Sequence, residues 1–261
     1  MKSLKIILRF LYLKLKTHLS FRLDVIFEIF YGLLESLFAF IFFEVVYSYV
    51  NDIVGFEKGE IYILTGTAYF IDGIYKGIFG TGVFSLSHLI RSGRLEKYLL
   101  RPFKPQLLIL FREPKFDFIY KLPSYSVLFI YGFYLLKNLP STFDFFLYFI
   151  SFFLSLLIYL LLHYIFVLLS FWVIEMYNLY YLIYDFYEFA RYPEKIYKGI
   201  FRKIFMSIIP IIILSNYPVK FLFKEGNFFL IFYQILILFS FFIIFKFMWN
   251  RGVKRYEGAT I

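Results

Sequence analysis

Apolar residues in this chain run in long blocks rather than in alternation. A bilayer core of about 30 Å needs about 20 mainly apolar residues in one helix. On that measure the pattern predicts spans near 25–50, 61–83, 117–137, 143–172, 204–222 and 227–248. The fourth is longer than the core requires and is expected to tilt or run into the interface. The fifth is interrupted by Pro210, Asn216 and Pro218, so it reads as a helix kinked or broken near its outer end. The connections are short, with no internal repeat, low-complexity linker or soluble domain. The expectation is one all-α integral membrane domain over residues 1–261, with six transmembrane helices and both termini on one side.

Two stretches break this pattern. Lys2, Lys5, Arg9, Tyr12 and Lys16 share one helical face, and Leu4, Ile7, Leu8, Leu11, Leu15 and Leu19 share the other. A helix so divided lies in the interface plane, so residues 1–24 are expected to form an interfacial helix leading into the first span. The apolar run that follows is too long for a signal peptide, carries Glu28, Glu35 and Glu44, and has no small-residue cleavage site. The second stretch is RSGRLEKYLLRPFKP, residues 91–105. Gly93 can end one helix, and Pro102 and Pro105 limit the next. Between them Leu95, Leu99 and Leu100 form a short apolar stripe beside Arg94, Glu96, Lys97 and Arg101. A helix this short is marginal alone in water. It must lean on the membrane surface or on a protein docked beneath it.

Composition agrees with the blocks. At 61% hydrophobic residues, 261 residues could not cover their apolar surface as a soluble domain. The 40 Phe and 25 Tyr stand beside only four Ala, a bias that makes aromatic richness weak evidence of ligand binding. With no cysteine, disulfides and thiolate metal sites are excluded. The net charge of +10 is unevenly spread: segments 1–24, 84–116, 173–203 and 249–261 hold 21 of the 28 Lys and Arg. The opposite loops hold only Lys58, Lys137, Lys220 and Lys224. Cytoplasmic loops are rich in Lys and Arg, so both termini and residues 84–116 are expected on the cytoplasmic side. A basic surface there attracts anionic lipid headgroups, which accounts for the charge without nucleic acid.

Candidate chemistry is sparse. The chain has no G-x-x-x-x-G-K-[ST], and the glycines of GIYKGIFGTG (73–82) lie inside a predicted membrane helix. His18, His88 and His163 are isolated; His163 with Glu175 is too loosely spaced for a site. Gly66, Gly73, Gly77 and Gly80 share one narrow helical face, which suits either ordinary close packing or a subunit interface along a transport pathway. Asp72 and Lys76 are spaced to neutralise each other. Glu28 and Glu35 share a face of the first helix and must pair with a partner such as Lys76 or line a polar path.

At this point the sequence resembles a family. IRSGRLEKYLLRPFKPQ looks like the signature I-x-x-G-x-L-D-x-x-L-L-R-P-L of ABC-2 type permeases, in a six-helix branch of transport components. RYPEKIY (191–197), SIIPIIILSNYP (207–218) and WNRGVKRYEGA (249–259) continue the likeness. Glu96 stands where the family usually has Asp, Phe103 where it has Leu, and Gly258 where it commonly has Ser. The resemblance implies a non-catalytic transmembrane subunit of an ATP-binding cassette exporter in a prokaryotic cytoplasmic membrane. ATP and Mg²⁺ would belong to a separate cytoplasmic ATPase dimer. A second homologous permease, or a second copy of this chain, would complete the pathway. It also implies that Gly93, Arg94, Leu95, Glu96, Leu99, Leu100, Arg101 and Pro102 form a coupling helix that docks on the ATPase. The interrupted fifth span resembles the family's re-entrant element. The competing expectations are a membrane scaffold that only binds partner proteins and, more remotely, an enzyme acting on lipid.

Overall fold

The computed structural model of the chain describes residues 22–173 and 177–256, so almost all of the expected interfacial helix lies outside it. The described residues are helices and turns, without a strand. Helix α1, Arg22–Tyr49, leads to a tight turn at Val54 and Gly55, where both residues take positive φ and Ile53 and Phe56 exchange backbone hydrogen bonds. Glu60 then accepts the Glu57 N–H at 2.9 Å and starts α2, Lys58–Ile74. A π-helical turn, Tyr75–Gly80, joins α2 without a break to α3, Thr81–Arg91. At 1.5 Å per residue this rod is about 50 Å long. It therefore projects well beyond the expected 61–83 span at its α3 end.

Gly93, at φ +70°, stops the rod, and the Leu95 N–H turns back to the Leu89 carbonyl at 3.1 Å. One turn, α4 (Glu96–Leu99), precedes α5 (Pro105–Leu110), which begins with proline at its first position. Next come α6, Asp117–Leu135, and α7, Thr142–Leu168, whose N-terminus carries a reciprocal Ser141–Asp144 cap. Gly59 of α2 and Gly132 of α6 bring two backbones together: a Cβ on Gly59 would sit 2.8 Å from the Gly132 carbonyl oxygen. The last helix, α11, Phe228–Arg255, lies along α7. Its fully buried Gln234 accepts from Ser151 Oγ at 2.7 Å and donates to Ser155 Oγ at 2.8 Å. Gln234→Leu is expected to cost about 0.6–2 kcal/mol, since the serines can turn back to their own helix carbonyls. Thermal unfolding in detergent, followed by tryptophan fluorescence, measures it.

Between α7 and α11 the path departs from expectation. Residues 173–203 were expected to lie at the same end of the bundle as 84–116. Instead α8, Tyr177–Tyr187, runs back along the α2–α3 rod. Tyr181 meets Phe84, Tyr180 donates to the Gly80 carbonyl, and Tyr187 donates to the Ala68 carbonyl. Thr65 then donates to the Arg191 carbonyl, and Lys195 lies over the Phe56 ring. These contacts step from residue 84 to residue 56, so the segment traverses the bundle. Arg191 stops midway, beside Glu35 and Tyr69, and Lys195 reaches the end that holds residues 50–57. Hydropathy gave no sign of this path because five of the eleven residues in α8 are tyrosines, and two of them, Tyr180 and Tyr187, donate to backbone carbonyls of the neighbouring rod.

The expected fifth span is sharply broken. α9, Gly199–Lys203, continues through a π turn to Ile208 and meets α10, Ile212–Leu222, at 85°. Among the described residues, Val25–Tyr49, Thr142–Phe171 and Phe228–Arg255 are each long and apolar enough to cross a membrane alone. Their outward faces are strongly apolar, with Phe38, Phe146 and Phe239 all more than half exposed.

Candidate functional site

Two places concentrate the predicted residues. The first is the end of the bundle at 93–105. Leu95 is fully buried and anchors the turn in the core, while Leu99 is half-buried against it. Leu100 points outward, 86% exposed, and Arg94, Glu96, Arg101 and Pro102 are exposed around it. The stripe expected to face a partner is thus split: Leu95 and Leu99 hold the turn to its own protein, and Leu100 alone presents apolar surface outward. The Arg101 guanidinium lies 5.5 Å from the Tyr98 ring, and the Arg112 guanidinium lies 6.0 Å from the same ring. Beneath, α5 is clamped from two sides. Tyr164 of α7 donates to the Gln106 carbonyl at 2.8 Å. Gly82 of α3 lies against the Ile109 and Leu110 carbonyls so closely that any Cβ there would collide. The exposed turn therefore rides on a platform tied to α3 and α7.

The second place is a groove between α1 and the rod, walled by α6 and α8. It consists of a cavity of about 1130 Å³ toward the 93–105 end and one of about 510 Å³ beyond it. Tyr31, Leu34, Glu35 and Lys76 line both, so the two are continuous at that level. All four predicted intramembrane charges line the larger cavity. Lys76 pairs with Asp72 at 2.6 Å, as the spacing requires, and Tyr159 adds a hydrogen bond to Asp72 at 3.2 Å. Asp72 is buried, whereas the Lys76 side chain is half exposed to the cavity. Glu28 and Glu35 do not use Lys76. Glu28 pairs with Lys121 at 2.8 Å. Glu35 pairs with Arg191 at 3.2 Å and accepts from Tyr125 at 2.9 Å.

The glycine face resolves differently from the subunit-interface expectation. A Cβ at Gly66 or Gly73 would meet Phe129 or Tyr125 of α6, and one at Gly77 would collide with Phe118 of the same helix. These three line a seam inside the chain, because α6 needs that approach to cover the rod. Gly80 instead faces Tyr184 and Tyr180 of α8.

The broken helix is organised by residues that local pattern did not single out. Glu194, only 4% exposed, receives Lys220 from α10 at 2.6 Å and Arg202 from α9 at 3.4 Å. Asn216 accepts the Glu194 N–H at 2.8 Å and donates to the Tyr192 and Ile212 carbonyls. Ser215 donates to the Ala190 carbonyl. Pro210 lies buried at the break, and Pro218 is buried within α10. Arg191, Glu194 and Gln234 were missed because each has its partner far along the chain. The helical recurrence of Tyr177, Tyr180, Tyr184 and Tyr187 was a usable signal for α8. His163 is a core residue, fully buried and stacked on Tyr75, and Glu175 lies outside the described residues. No group of His, Asp and Glu able to hold a metal occurs among the described residues.

A platform at one end and a charged groove running into the bundle fit a transport subunit, and comparison with known proteins agrees. No curated protein and no solved structure matches the chain. A family model described as ABC-2 family transporter protein matches residues 33–260, and the chain belongs to that family of transporter permeases.

Proposed function

We propose that the chain is the membrane subunit of an exporter for an amphipathic substrate (lipid-linked, glycan-like or drug-like), powered by a separate ATPase dimer. ATP and Mg²⁺ would bind in that ATPase. The docking face would be Arg94, Glu96, Leu100, Arg101 and Pro102. This face is cytoplasmic in our reading: residues 84–116 carry seven Lys and Arg and 249–261 carry three. Of the five basic residues of 173–203, Arg191 and Arg202 lose their weight in that argument, since they are matched by Glu35, Glu188 and Glu194. The crossings would then be α1, the α2–α3 rod, α6, α7, α8 and α11. The α9–α10 element would be re-entrant from the outer side. The count stays at six, with both termini cytoplasmic in a prokaryotic cell membrane. A second permease, or a second copy, would close the open side of the groove.

The observation that carries this reading is a physical link between the two places. The Lys115 N–H, at the end of the platform segment, donates to the Gly77 carbonyl of the π turn at 2.7 Å. That same turn carries Lys76 into the groove. Force applied at 94–102 thus has a short route to the groove wall, and π turns commonly mark such sites. Purification in mild detergent from the native host, with mass spectrometry, tests the assignment. A stoichiometric ATPase cross-linked to residues 94–102 is the expected result. Recovery of the chain alone, or with unrelated membrane proteins, would favour the scaffold.

A further inference from the structure

The cations that line the groove are not equivalent. Lys121 and Arg191 are each less than one-fifth exposed and each is held by a wall carboxylate. Lys76 differs: half its side chain faces the cavity, and its counter-charge, Asp72, lies buried beneath it and is shared with Tyr159. Lys115 also lines the larger cavity, is exposed, and has no carboxylate within ion-pair distance among the described residues. Its backbone bond to Gly77 places it beside the turn that carries Lys76. The opposite wall, α1, presents Phe27 and Phe30, both more than half exposed, and its two carboxylates, Glu28 and Glu35, are already held by Lys121 and Arg191.

We propose that Lys76 and Lys115 form the contact site for the acidic headgroup, phosphate or carboxylate, of an amphiphile whose tails lie against α1 at Phe27 and Phe30. Two ammonium groups at one polar mouth supply charge-assisted hydrogen bonds to such a group. The adjoining Phe27 and Phe30 rings accept chains that need not leave the lipid. Lys76 can bind without abandoning Asp72, since an ammonium has three donors. Lys76 and Lys115 are thereby specificity-determining residues that select an acidic head over a neutral or zwitterionic one. The proposal rests on the transport reading above but requires no ATPase, so loss of one does not imply loss of the other.

The test is lipid retention by the purified full chain, read by native mass spectrometry after exposure to equal phosphatidylglycerol and phosphatidylcholine in mixed micelles. Wild type is expected to retain phosphatidylglycerol roughly tenfold over phosphatidylcholine, and Lys115→Gln, at an exposed side chain, to lower that ratio by about threefold. Lys76→Gln with Lys115→Gln should bring the ratio to unity, while Lys76→Arg and the distant Lys137→Gln should leave it unchanged. An undiminished ratio in Lys115→Gln and in the double variant overturns the proposal. Displacement of the lipid by inorganic phosphate at equal concentration also overturns it, by showing that a soluble anion suffices. Size-exclusion profiles identify any variant that fails to fold, and Lys115→Gln then decides alone.

Discussion

Replacing Glu194 with alanine is expected to cost about 3–5 kcal/mol and to release the α9–α10 element from the bundle. Its carboxylate is the meeting point of three segments: the turn at 192–196, α9 through Arg202 and α10 through Lys220. Lys220 is only 14% exposed, so removing the acid leaves an ammonium with no charge partner at a place where water is scarce. The neighbouring bond from the Glu194 N–H to Asn216 survives, so the turn is expected to loosen rather than unfold. Glu194→Ala with Lys220→Met should recover most of the loss, because removing both charges relieves the unpaired one. Thermal melts of the single and double variants measure this. Equal destabilisation by both would show that the carboxylate acts through packing alone.

The second large effect concerns the platform. Leu100→Asp with Arg101→Glu is expected to reduce ATPase recovery with the chain by roughly tenfold or more, since arginine is a frequent hot spot and two new carboxylates at a docking face are costly to desolvate. The melting temperature should stay unchanged, because Leu100 is 86% exposed and Arg101 is an exposed residue lying over the Tyr98 ring. Leu95→Asp is the contrasting variant. It buries a carboxylate in the core and should lower expression and stability while saying nothing of docking. If Leu100→Asp with Arg101→Glu keeps a full complement of ATPase, docking occurs elsewhere on the chain.

Much of this was legible in residue order. Asp72 and Lys76 pair because four residues on a helix is a local distance, and the pair forms even though Lys76 already lies in the π turn. Gly93 stops α3 because a positive φ is a property of one residue. Pro210 breaks its helix for an equally local reason. For Glu28 and Glu35 the sequence left pairing and a polar path as alternatives; both residues line the groove and both are paired, with partners that were not foreseen. Lys121 lies on α6, and Arg191 on a segment expected at the other end of the bundle.

Taken alone, the order of residues settled the membrane class, the platform turn and the position of the break, since each depends on local hydrophobic length, charge or backbone freedom. It also carried the family likeness that the match over residues 33–260 supports. Only the folded chain settled which way α8 runs, which leucines of 93–102 face inward, and which carboxylates meet which cations. These are contacts between residues up to 156 positions apart, such as Glu35 with Arg191. Helix packing chooses among such pairings, because a charge in a nonpolar medium takes whatever partner the surrounding helices bring within reach.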